Sequence, residues 1–130
     1  MELRAGDVFI NSRSGSIPSH LWFILSDPGE DPEHVLIVNA TSAFQGRDVD
    51  SSCILKPGDH PFIRHESYIF YDGARQTAAR KLKEGFETEI LRFQESASDQ
   101  LLLRVRTGLM QSPHAEERHK ALLRTQGLVP

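Results

Sequence analysis

The chain holds one cysteine, Cys53, among its 130 residues, which excludes an internal disulfide as a staple. No apolar run approaches the roughly 18 residues that a membrane-crossing helix needs. The opening Met1-Glu2-Leu3-Arg4-Ala5-Gly6-Asp7 has neither a basic leader nor an apolar signal stretch. These absences predict a cytoplasmic protein without membrane contact. HxH, HExxH and CxxC spacings are missing too, so metal ligation lacks its usual sequence support. Positive charge is scarce in the first half: residues 1–75 carry 6 Lys/Arg against 11 Asp/Glu, whereas residues 76–130 carry 9 against 7. An acidic surface opposes the phosphate neutralisation that drives non-specific nucleic-acid binding, which argues against broad DNA binding. A local site for a few nucleotides is compatible with this charge, because a handful of donors can act inside an acidic domain.

What is present is a succession of short apolar runs, rich in β-branched and aromatic residues and separated by turn residues. They predict strands at Val8–Asn11, Leu21–Ser26 after Pro18, His34–Asn39, Ser52–Leu55 and Tyr68–Tyr71. Leu21-Trp22-Phe23-Ile24-Leu25 and Val35-Leu36-Ile37-Val38 are continuous rather than alternating, so both faces of these strands should be covered. From Ala74 the composition turns helical, with Ala79, Leu82 and Phe86 on one face, and Phe86–Ile90 readable as helix end or short strand. Ser98 reads as the cap of a helix through Leu101, Leu102, Val105 and Leu109. Ser112-Pro113 reads as the start of a last helix, ending near Gln126 with Gly127 as its left-handed stop. The expected fold class is α+β, mainly β in the first half. A small closed barrel over residues 1–75 is followed by a helical extension over 76–130, packed on or beside it.

Three histidines sit where turns meet strands: His20 before the tryptophan run, and His60 and His65 around Pro61-Phe62-Ile63. In Gly58-Asp59-His60-Pro61 the proline fixes the backbone beside two titratable groups. If His20, His60 and His65 converge, with Asp59 orienting one of them, two imidazoles can share general-base and general-acid roles. Cleavage of a phosphodiester through a neighbouring 2′-hydroxyl needs such a pair. The competing reading has the same residues capping strand ends and bonding backbone carbonyls, and a third has two of the histidines and Asp59 as ligands of a divalent ion in a metal-dependent hydrolase. Asn39-Ala40-Thr41-Ser42 ends a buried strand with hydroxyl and amide groups that can hold a phosphate or simply terminate the strand, and Ser67 is open to the same two readings. Cys53 reads as a small core residue, and His114 and His119 read as part of a solvated helix face.

The order of these segments resembles the PemK/MazF family of toxin endoribonucleases. Gly6-Asp7-Val8 is similar to that family's opening strand, Leu21–Ser26 to the strand after its arginine-proline pair, and Val35–Ser42 to the strand ending in a threonine-serine pair. Ser67-Tyr68-Ile69-Phe70-Tyr71-Asp72 is similar to its closing strand. The resemblance covers about residues 4–75. It implies an SH3-like barrel and metal-independent cleavage of single-stranded RNA without a cofactor. It also implies a neutralising antitoxin protein and a homodimer as partners. Thr41 matches the family's functional threonine, with Ser42 beside it, while His20-Leu21 stands where the family has arginine-proline. On this reading His20, His60 and His65 are the proton-transfer groups, and Thr41, Ser42, Asp59 and Ser67 hold or orient the substrate. The alternative is a non-catalytic SH3-like module that binds a peptide or protein partner.

Overall fold

The structure is a computed structural model that describes residues 1–11, 20–43 and 48–130; Pro18 lies outside them. The strands are β1 (Val8–Asn11), β2 (Leu21–Ile24), β3 (His34–Ser42), β4 (Ile54–Leu55), β5 (Ser67–Ala78) and β6 (Leu91–Gln94). The helices are α1 (Ala79–Glu87), α2 (Asp99–Gln111) and α3 (Glu117–Thr125). The fold is thus α+β, with most strands in the first half. One antiparallel sheet has the order β4-β5-β3-β2-β1-β6. Its edges, β4 and β6, do not pair with each other among the described residues, so hydrogen bonding does not complete the closed ring expected from the sequence. His60 spans the gap instead: its Nε2 donates to the Glu95 carbonyl at 2.6 Å, joining the loop after β4 to the residue after β6. No helix among the described residues is long and apolar enough to cross a membrane.

The continuous apolar runs have the expected cause, because each face of the sheet carries its own helical cover. Val8, Phe23, Leu36 and Val38 point into one cluster with Leu101, Leu102, Val105 and Leu109 of α2 and Leu123 of α3. Their alternating neighbours Phe9, Ile24, Val35 and Ile37 point the other way, into a cluster with Ala79, Leu82 and Phe86 of α1. A side-chain period of two along each strand divides one apolar run between two cores. The helical extension therefore shares its main core with the strands.

Several boundaries move. β5 continues through Ala78, so the helix expected from Ala74 begins only at Ala79. The cause lies on β3, whose first residues His34–Ile37 find their ladder partners in Arg75–Ala78. The expected division at residue 75/76 falls inside this strand. α1 runs to Glu87, and the short strand that Phe86–Ile90 left open lies further on at Leu91–Gln94, after a turn in which Glu89 has φ 62°. The Ser98 side chain caps α2 as expected, accepting from the Leu101 N–H at 3.1 Å. Ser112, read as a helix start, instead ends α2 and donates its hydroxyl to Asp50 Oδ2, and α3 starts at Glu117. Gly127 ends the chain's last helix at φ 69°, as expected. His119 is corrected outright: it is fully buried, because with Leu123 one turn later it forms the inward stripe of this short helix.

Candidate functional site

α1 covers only part of its sheet face. Beyond Ile24 and Ile37 the same face continues through Trp22 on β2 and His20 just before it, and through Asn39 and Thr41 on β3. Tyr68 and Phe70 on β5 lie beside them, since Thr41 pairs with Tyr68 and Asn39 with Phe70. The uncovered part forms a cleft of about 590 Å³ lined by His20, Trp22, Asn39, Thr41, Asp48, Tyr68, Phe70, Gly73 and Arg75. Its strand-borne lining is thus dictated by alternation on three adjacent strands.

Arg75 reaches this cleft through an irregularity. Ile37 pairs with Arg75 and Asn39 with Phe70, so four residues of β5, Tyr71–Ala74, stand against Val38 alone. The bulge resets the alternation, and Phe70 and Arg75, five apart, come to face the same side. A Cβ at Gly73 would lie 2.7 Å from the Phe70 ring, so a larger residue there would displace this exposed ring from its place in the cleft. The Arg75 guanidinium sits 4.9 Å from the Trp22 ring centroid, within cation–π range. The backbone of His20 is pinned to β1, its N–H donating to Asn11 Oδ1 at 2.9 Å. The cleft therefore offers an imidazole, a guanidinium, a threonine hydroxyl and three aromatic rings.

The other residues singled out from the sequence lie elsewhere. Ser42 follows Thr41 on the strand and so faces the opposite side, where its Oγ lies 2.6 Å from His65 Nε2. Ser67 is buried and donates its hydroxyl to the His65 carbonyl at 3.0 Å. His60 is 3 % exposed, and both ring nitrogens are engaged: Nδ1 accepts from the Phe62 N–H at 3.0 Å, and Nε2 donates to Glu95. Asp59 binds no imidazole. It accepts from Arg104 at 2.8 Å and from the Lys56 N–H at 2.7 Å, and the Arg104 guanidinium holds its carboxyl below the usual carboxylate range. The structure therefore brings His20 and Thr41 together and pairs Ser42 with His65, but it does not gather the three imidazoles in one pocket.

Among the described residues, no group of three or more His, Cys, Asp or Glu side chains is placed to hold a metal ion. Burial raises the Cys53 thiol above its ordinary range, which keeps it protonated and a poor nucleophile. Sequence reasoning weighed Asn39 with Thr41 but missed Trp22, Tyr68 and Phe70, although the spacing by two of Trp22 from His20 and of Phe70 from Tyr68 was a readable signal. It also missed Arg75, which the bulge concealed. Neither a family model nor a curated protein matches this chain.

Proposed function

We propose that the protein is a metal-independent endoribonuclease of PemK/MazF type, an SH3-like barrel in its strand-rich part, that cleaves single-stranded RNA in the cleft around His20. The observation that carries this reading is the presence of His20, Thr41 and Arg75 on one sheet face beside Trp22, Tyr68 and Phe70. The exposed Phe70 ring and the half-buried Trp22 ring next to a guanidinium suit a flexible strand whose bases stack while its phosphates are held by charge. Arg75 answers the lack of an arginine at position 20: it supplies a permanent positive charge and a planar fork for the phosphate.

In this reading His20 takes the proton of the 2′-hydroxyl as that oxygen attacks phosphorus. Arg75 and Thr41 stabilise the charge that develops on the phosphoryl oxygens, and the Tyr68 phenol lies in the same cleft as a hydrogen donor for the leaving 5′-oxygen. His60, with both nitrogens engaged, is assigned to the frame. The test is incubation of the protein and of H20A with a mixed-sequence RNA in EDTA, followed by mapping of the ends. Cyclic 2′,3′-phosphate ends, with a loss of rate of about 10²–10⁴-fold in H20A, support the reading. Intact RNA with the wild-type protein overturns it and favours a peptide-binding module using the same aromatic groove. Activity only with an added divalent ion favours a metal-dependent hydrolase.

A further inference from the structure

On the sheet face opposite the cleft, the Ser42 hydroxyl and the His65 imidazole form a hydroxyl–base pair that the reading above does not use. From the 2.6 Å separation of Ser42 Oγ and His65 Nε2 we infer that Ser42 is a nucleophilic serine, with His65 as its general base, able to open small activated carboxylic esters. A hydroxyl within hydrogen-bond reach of an imidazole nitrogen is the minimal unit of nucleophilic catalysis by serine.

Three observations hold the pair in place. Ser42 and Ser67 are register partners in the β3–β5 ladder, which fixes Ser42 against the end of the loop that carries His65. The Ala43 N–H donates to the Glu66 carbonyl at 3.1 Å just beyond the ladder. The Ser67 hydroxyl, itself buried, donates to the His65 carbonyl at 3.0 Å. His65 is exposed and Ser42 half-buried, so an ester can approach the pair from solvent.

The chemistry balances without a co-reactant. Ser42 Oγ attacks the acyl carbon as its proton passes to His65 Nε2; the carbon–oxygen bond to the leaving group breaks, and that oxygen takes the proton from the imidazolium. Water, deprotonated by His65, then cleaves the acyl-serine, which releases the carboxylic acid and restores the hydroxyl. Among the described residues no carboxylate bonds the imidazole from behind, which confines the pair to substrates with good leaving groups.

The test treats the full chain with diisopropyl fluorophosphate, which replaces fluoride by the serine oxygen, and maps the adduct by mass spectrometry. A stoichiometric adduct on Ser42, slowed at least about tenfold in H65Q while H65Q keeps the wild-type thermal midpoint, is the expected result. A parallel p-nitrophenyl acetate assay should lose turnover in S42A and H65Q but keep it in H34A, which changes an exposed histidine at the start of β3. No adduct on Ser42, equal labelling of wild type and H65Q, or label spread over several surface serines overturns the inference. A lowered midpoint in H65Q shifts the decision to H65N, judged by the same labelling criterion. None of these results depends on RNA cleavage.

Discussion

The His60 imidazole is a clasp on Glu95: the 2.6 Å bond from Nε2 to the Glu95 carbonyl connects the two ends of a sheet that its strands leave open. Because the Phe62 N–H donates to Nδ1, the proton must sit on Nε2, and the ring works as a fixed neutral bridge. Replacing His60 by alanine orphans the Phe62 N–H and the Glu95 carbonyl. Both groups belong to exposed residues that water can reach, so the expected loss is about 1–2 kcal/mol, the net worth of two hydrogen bonds. Urea unfolding measures it, and an unchanged midpoint would remove the clasp.

His119 is fully buried, and neither ring nitrogen has a hydrogen-bond partner among the described residues, although Glu116 Oε2 lies 3.4 Å from Nε2. Burial lowers its pKa, Glu116 partly offsets this, and the nearby Arg118 adds to the lowering. The sign follows from linkage: the unfolded chain binds this proton more readily than the folded one. Stability is therefore full above the free histidine value of about 6.5 and falls as the pH drops through it toward the lower folded value. His119→Leu should flatten this part of the profile in thermal melts taken between about pH 7.5 and 5. A wild-type profile flat across that window would count against it.

Gly108 carries α2 against β5 at a separation that admits no side chain. An added Cβ would lie 2.2 Å from the Tyr71 hydroxyl and 2.9 Å from both Cys53 Cβ and the Ser52 carbonyl. Tyr71 cannot readily yield, since its hydroxyl donates to the Val105 carbonyl at 2.7 Å. Gly108→Ala should cost about 1–3 kcal/mol, the range for overpacking a filled core, despite alanine's higher helix propensity. A stabilised variant by calorimetry would refute the close packing.

Arg75 and lysine are not equivalent under the proposed function. Arg75→Lys retains the charge but loses the planar fork and its stacking on Trp22, so RNA cleavage should fall at least about tenfold, and Arg75→Ala should fall further. Steady-state rates on one defined oligonucleotide, with circular dichroism as a folding control, make the comparison. Equal rates for all three proteins would exclude the guanidinium from the site.

Much of the architecture was legible because it follows from local rules. β1 begins and ends where Gly6-Asp7 and the apolar run place it, Ser98 caps α2, and the uninterrupted runs around Phe23 and Leu36 belong to strands covered on both sides. What stayed hidden depends on partners distant in the chain. Ala74–Ala78 is extended because β3 needs a ladder there, which no composition within that segment announces. His60 and His65 looked alike as loop histidines, yet one is buried between Phe62 and Glu95 and the other meets Ser42 in the open. His20 and Thr41 share a cleft because their strands are adjacent in register, a relation that spacing in sequence does not encode.

The bulge at Tyr71–Ala74 makes this stretch of chain intolerant of changes in length. Surface loops absorb insertions and deletions at small cost, but a one-residue indel here must either be taken up within the bulge or slip the register of one arm of β5, and a slip inverts the facing of every side chain on that arm. Such a slip would turn the Arg75 guanidinium into the apolar layer beneath α2, exchanging a solvent-facing cation for a buried one. Homologues that keep the cleft should therefore keep this spacing even where the residues themselves drift.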